Sequence, residues 1–273
     1  MNAALAERFP AGPHAERKNP PDQLPKPLDG LLGAVQNDFT RRELRWLIGA
    51  ALDGKPDVDP TTAARMAQPF TWLLDRVGDD GIQLTQAGYL PPGHVEAAVK
   101  ELALPDVWMS KGNREINTYP VLMLRGTATK TGLLRKQRGM LLLTATGRKL
   151  RSDPVALWWH LAGRMPLKTS DRCEMQAGLL WLLAVAARPD RDPAKMVSRM
   201  LAGMGWRLSD GTWLEPMDAS RAARDTSNVL RRLGGMTDDP DHYGRETLNA
   251  DGATFARAAV ATWPNEPASK TSK

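Results

Sequence analysis

Hydrophobic residues along this chain follow two alternating rhythms, short runs at the period of a strand and longer stripes at the period of a helix. The stretch from Gly132 to Leu150, GLLRKQRGMLLLTATGRKL, contains both. Two apolar runs around a basic, glycine-marked turn predict a hairpin, and Thr144 then opens a helix. Ahead of it, TYPVLMLRGTATKTGLL predicts a helix with Pro120 near its start and Val121, Leu124 and Ala128 on the inner stripe. Gly132 ends that helix by taking a left-handed conformation. Beyond the hairpin, Asp153 and Pro154 fit the cap and first position of another helix, with Val155, Trp158, Trp159 and Ala162 on one face.

The same order recurs, which predicts an internal repeat. In GIQLTQAGYLPPGHVEAAVKEL, Ile82 and Leu84 alternate with polar residues before Val95, Ala98, Val99 and Leu102 form a helical stripe; PTTAARMAQPFTWLLDRVG precedes it as a helix. In the third copy, DASRAARDTSNVLRRLGG is read as one helix with Ala222, Val229 and Leu233 inward and Gly234 as terminator. It leads to ETLNADGATFARAAVATW, with Phe255, Ala256, Ala259 and Trp263 as the stripe. Each copy sets a leucine four residues before a glycine: Leu84 and Gly88, Leu143 and Gly147, Leu248 and Gly252. Between the second and third copies, Ser170 to Ala187 and Pro193 to Gly203 read as helices, and Asp210-Gly211 marks a short hairpin.

A helix closed by glycine, a two-stranded wing and a helix opened by Thr144 together resemble a winged helix-turn-helix domain. More narrowly, LTQAGYLPP, NREINTYPVLMLR, GLLRKQRGMLLLTATGRKL and DPVALWWHLA resemble an uncharacterised actinobacterial family related to a plasmid open-reading-frame-three product, also described as mobile-element passenger proteins. The likeness runs from Gly81 to Ala162 and more loosely to Pro264. It implies stacked winged-helix units and brings no catalytic residues with it. In NREIN, Ile116 and Asn117 stand where that pattern expects a more acidic, histidine-bearing pair.

The expected fold is mainly α with short β-hairpins, of the α+β class, built as tandem winged-helix units with a helical insert. Residues 1–27 read as a disordered, proline-rich arm and 265–273 as a disordered polar tail. The units are expected at 28–110, 111–165 and 217–264, with the insert and its hairpin at 166–216.

Composition narrows the function classes. One cysteine, Cys173, leaves no intrachain disulfide framework or cysteine-based zinc site and suits a reducing cytoplasm. The most apolar run, Ala177 to Ala187, falls short of the ~20 residues a membrane span needs, so no membrane partner is expected. The formal charge of +6 is unevenly spread. Residues 111–151 hold ten Lys or Arg against a single acid, Glu115. That segment carries about +9, and the rest of the chain sums to about −3.

This local basicity points to duplex DNA. Arg135, Lys136 and Arg138 at the wing, with Lys130, Arg148 and Lys149 nearby, are candidate phosphate contacts. Cations on a hairpin also keep an edge strand from pairing with another chain. On the helix before the wing, Tyr119, Leu122, Gly126 and Thr129 should face outward, and none makes the bidentate bonds that read base edges. Tyr119 and Leu122 instead suit contact with a neighbouring unit, a protein partner or a second copy of the chain. The third unit places Arg224, Asn228 and Arg231 outward, residue types that do read bases.

Enzyme chemistry finds little footing. His14, His94, His160 and His242 are scattered, no phosphate-binding loop or nucleophile motif occurs, and no cofactor or metal is expected. The expectation is a DNA-associated, non-enzymatic protein with a role in transcription or in a plasmid or mobile element. Its rival is an interaction or scaffold module that binds no nucleic acid.

Overall fold

A computed structural model describes residues 24–104, 113–187, 190–238 and 246–263. Nearly all of the expected arm and the whole of the tail lie outside these residues. Helix α1, Lys26–Ala34, already begins inside the stretch expected as arm. It is followed by α2 (Asp38–Ala51), α3 (Pro60–Val77), β1 (Ile82–Gln83), α4 (Pro92–Glu101), a 3-10 turn (Glu115–Asn117) and α5 (Tyr119–Lys130). Next come β2 (Leu134–Gln137), β3 (Met140–Leu143), α6 (Ala145–Leu150), α7 (Pro154–Ala162), α8 (Arg172–Ala187) and α9 (Pro193–Gly203). The chain closes with α10 (Pro216–Ala222), α11 (Arg224–Arg232), β4 (Met236–Asp238), β5 (Glu246–Leu248) and α12 (Ala250–Ala261). The architecture is mainly helical with small antiparallel sheets.

Local chemistry accounts for most helix starts. Asn37, Asp59, Thr144, Asp153, Asp192 and Asn249 each accept a backbone N–H of the first turn, and proline occupies the opening turn of α3, α4, α5, α7, α9 and α10. The expected inner stripe of α5 is observed, with Val121, Leu124 and Ala128 each 1% exposed. Phe255, Ala256, Ala259 and Trp263 of the last stripe are buried as well. In α7 the buried face is turned: Leu157, Trp158, Leu161 and Ala162 are buried, whereas Val155 and Trp159 are half-buried.

Two helix ends share one geometry. After α5, Gly132 has φ +77° and the Leu133 N–H reaches back to the Ala128 carbonyl at 2.9 Å. After α11, Gly234 has φ +69° and the Gly235 N–H reaches the Leu230 carbonyl at 2.8 Å. Both are Schellman closures, for which glycine is the residue without a steric penalty. The hairpins then return to equivalent caps. Thr144 caps α6 and donates to the Gly132 carbonyl at 2.7 Å; Asn249 caps α12 and donates to the Gly234 carbonyl at 2.7 Å.

The leucine-to-glycine spacing has its explanation at these junctions. A Cβ on Gly147 would stand 2.1 Å from the Leu133 carbonyl oxygen, and one on Gly252 would stand 2.3 Å from that of Gly235. Only glycine lets the returning helix lie against the preceding helix end. The first copy departs from this plan, because Leu84 to Gly88 closes a turn in which the Gly88 N–H meets the Thr85 carbonyl at 2.7 Å and no helix follows directly.

Sheet pairing redraws the expected units. β1 pairs antiparallel with β3 through Ile82 and Leu141, and β2 pairs with β3 from Leu134–Leu143 to Gln137–Met140, giving the order β1-β3-β2. The expected boundary at 110/111 therefore runs through one sheet, and segments 28–110 and 111–165 share it. The expected insert is corrected too. Every residue of α8 from Gln176 to Ala186 is buried, and the helix packs against α2, α9, α10, α11 and α12. A helix that is apolar all round belongs in a core. Asp210-Gly211 turns a short loop with a single bridge, Arg207 to Trp213, instead of a full hairpin.

Helices α3 and α7 meet on the other side of the core, where fully buried Trp158 stacks edge-on with Phe255 at 5.3 Å and sits over Met66. One contiguous hydrophobic cluster joins all these elements. Among the described residues no helix is long and apolar enough to cross a membrane.

Candidate nucleic-acid interface

The wing is built by the β2–β3 hairpin. Arg138 and Gly139 occupy its two-residue turn with φ of +48° and +77°, the handedness that matches the twist of paired strands. β2 is the sheet edge. Leu134 anchors it in the core, while Arg135, Lys136, Gln137 and Arg138 are all exposed. Arg135 donates to the Gln137 side chain, and the Lys136 ammonium lies over Gly88 in the turn after β1. Among the described residues no ion pair reaches Arg135, Lys136, Arg138 or Lys149.

Other candidate phosphate contacts are occupied. Lys130, at the end of α5, pairs with Asp225 of α11. Arg148 pairs with Asp79 at 3.0 Å, and Arg151 reaches Asp75 at 2.7 Å and Asp79 at 3.8 Å. These pairs are exposed and worth only a fraction of a kcal/mol to about 1 kcal/mol each. They nonetheless balance the charge that Lys130 and Arg148 could offer. Their acids lie far away in sequence, so no local pattern announces them.

The helix before the wing is held from beneath. Glu115, whose side chain is fully buried, accepts the Leu90 N–H at 2.7 Å and pairs with Arg125 at 2.5 Å. This pair joins the 3-10 turn, α5 and the segment leading into α4, and it uses the one acid in the basic segment.

The expected base-reading face of the third unit is corrected. The segment expected as one helix from Asp218 to Leu233 divides at Ala223 into α10 and α11. Asn228 is 4% exposed and donates to the Tyr119 hydroxyl at 2.9 Å, while Arg231 donates to the Asn228 side-chain amide oxygen at 2.5 Å. Of the three candidates, Arg224 is exposed and Arg231 half-buried. Asn228 lies inward because α11 packs on both α8 and α5. Tyr119 meets Asn228 and Lys130 meets Asp225, so α5 and α11 pack against each other. Tyr119, expected to contact a neighbouring unit or a partner, accepts this bond from α11; Leu122 is half-buried.

Reactive groups are muted. Burial, then the nearby Asp171 and Glu174 carboxylates, push the Cys173 thiol up to about 11, which leaves almost no thiolate at neutral pH. His94 is shifted below its ordinary value by burial and then by Arg76, and His160 by burial, then Arg164, against a bond to the Thr131 carbonyl. His14 and His242 lie outside the described residues. Among the described residues no group of three His, Cys, Asp or Glu side chains could hold a metal ion. No protein-family model, curated protein or solved structure matched the chain.

Proposed function

We propose that this chain is a non-enzymatic, DNA-associated protein that grips the phosphates of duplex DNA through the β2–β3 wing and leaves base sequence unread. One observation carries the reading. Arg135, Lys136 and Arg138 stand uncompensated on an exposed edge strand, while Lys130, Arg148 and Arg151 around them are each tied to an aspartate. Uncompensated cations release counterions from DNA most effectively, because no protein acid has to be displaced first.

The order of elements supports it. A helix (α3), a strand (β1), two helices (α4 and α5) and a two-stranded wing (β2–β3) folding into one sheet is the order of a winged helix-turn-helix domain, with α5 in the reading position. The series α9, α10, α11, β4, β5 and α12 is then a second, reduced copy. Neither reading helix presents a set of base-reading side chains: α5 offers Leu122, Gly126 and Thr129, and on α11 Asn228 is buried and Arg231 half-buried, which leaves Arg224 alone exposed. A sequence-independent grip suits a role in DNA maintenance or in a mobile element.

Fluorescence anisotropy on a random-sequence duplex across a range of salt tests this. Binding with a Kd of about 10⁻⁶ to 10⁻⁴ M near physiological salt, falling linearly on a log–log plot, is expected. The Arg135→Ala, Lys136→Ala, Arg138→Ala triple variant should flatten that slope by about 2 to 3. No binding even at low salt, or an unchanged slope in the variant, sinks the reading.

A further inference from the structure

The wing is held from the side by β1. Just past that strand, the Leu84 N–H donates to the Gly139 carbonyl in the wing turn at 2.9 Å. The side-chain amide of Gln83 donates to the same carbonyl at 3.3 Å and to the Leu84 carbonyl at 3.4 Å. A Cβ on Gly139 would stand 3.1 Å from that Gln83 nitrogen, so the turn residue beneath it has to be small. Toward the base of the wing, a Cβ on Gly81 would stand 2.7 Å from the Leu141 carbonyl oxygen, so β1 lies close against β3 along its whole length.

Burial of Ile82 and Leu84 accounts for the strand pairing itself. It does not account for an exposed glutamine whose amide is directed at a turn carbonyl that already has a backbone donor. The turn it reaches is an unusual one. Two-residue hairpin turns of this hand favour Asn, Asp or Gly at their first position, and Arg138 stands there at φ +48°, a region side chains other than these adopt at a cost. Strain kept at one spot points to function there, and a hairpin of two strands has little stability of its own to hold it. Among the described residues no hydrogen bond or ion pair restrains the Lys136 or Arg138 side chain, so their placement depends on the backbone that carries them.

We propose that Gln83 is a positioning residue for the wing: it fixes the strained Arg138-Gly139 turn, so that Arg138 and Lys136 meet phosphates from a preset backbone. This rests on the reading of the wing as a DNA grip. Preorganisation strengthens binding by lowering its ordering cost, without adding a contact. Gln83 carries no charge and releases no counterion, so its contribution shows in affinity and not in salt dependence.

Two measurements on the full chain test this, with Gln83→Ala beside Gln86→Ala, an exposed glutamine in the turn after β1. Gln83→Ala keeps the backbone bonds of β1. Hydrogen–deuterium exchange without DNA should run about threefold or more faster across residues 134–143 in Gln83→Ala and stay unchanged in Gln86→Ala. On the random-sequence duplex, Gln83→Ala should bind about three- to tenfold more weakly at every salt concentration with an unaltered log–log slope, whereas Arg138→Ala lowers that slope by about 1. Unchanged wing exchange in Gln83→Ala, or an equal rise in Gln86→Ala, overturns the inference whether or not the chain binds DNA. Faster exchange with undiminished affinity, or a reduced slope in Gln83→Ala, overturns it as well. A wild-type chain that binds no duplex at all sinks the grip itself, an outcome the exchange measurement separates from a failed brace.

Discussion

From α5 through the wing to α6, and from α11 through β4–β5 to α12, the backbone solves the same problem twice. Each helix ends in a left-handed glycine, Gly132 or Gly234, and each return strand leads to a cap, Thr144 or Asn249, that also ties down that glycine's carbonyl. Each following helix brings a glycine, Gly147 or Gly252, against the preceding helix end. Around these shared junctions the surroundings differ. The first hairpin gains a third strand, β1, and leaves its edge strand exposed and basic, whereas α12 after the second is folded into the core against α7 and α8. Local hydrogen bonding and backbone contact therefore specify the junction, and burial specifies what it is used for. The same hinge chemistry can thus serve the surface at one junction and the core at another.

The largest test of this equivalence is Gly147→Ala beside Gly252→Ala. Each Cβ meets a backbone oxygen that cannot rotate away, so each variant should lose about 3 kcal/mol in denaturant unfolding. One tolerated substitution would break the parallel. Next in size is Asn228→Ala, which strips the Tyr119 hydroxyl and Arg231 of a buried partner and should cost about 2 kcal/mol. The cap variants Thr144→Ala and Asn249→Ala should each cost about 1 kcal/mol, and nearly equally, since both side chains make the same two kinds of bond.

A subtler contrast concerns cations on the same surface. Lys130→Ala and Arg148→Ala should each change the DNA salt slope far less than any single wing substitution, because Asp225 and Asp79 already hold their charges. A large change in either would place the DNA across the α5–α11 seam instead of on the wing. The smallest effect concerns pH. His94 and His160 titrate below the ordinary histidine value in the folded chain, so the unfolded chain takes up protons first as pH falls below about 6.5. Stability should decline from that point toward the lower folded values, and His160→Gln should flatten the decline measured between pH 7 and 5.

Much of the fold was legible locally. The inner stripe of α5, the limits of α9, the left-handed Gly132 and Gly234, and the buried stripe ending in Trp263 all follow from periodicity and caps. Short-range signals failed where distant segments intervene. Nothing near Ile82 announces that β1 joins the hairpin around Leu141, and the apolar α8, read as an insert, is the helix around which the others pack. The site was legible in the same uneven way: the wing cations and their exposure could be read, but not the aspartates that occupy Lys130 and Arg148, nor the burial of Asn228.

The sequence by itself determined the helices, their stops, the paired glycine junctions and the basic wing, because caps, turns and side-chain period act over a few residues. Only the tertiary structure decided which strands share a sheet, which helix faces meet and which cations remain uncompensated. Those outcomes rest on contacts between residues tens to more than a hundred positions apart. Pairing of α5 with α11 turns a candidate reading face inward and buries Asn228.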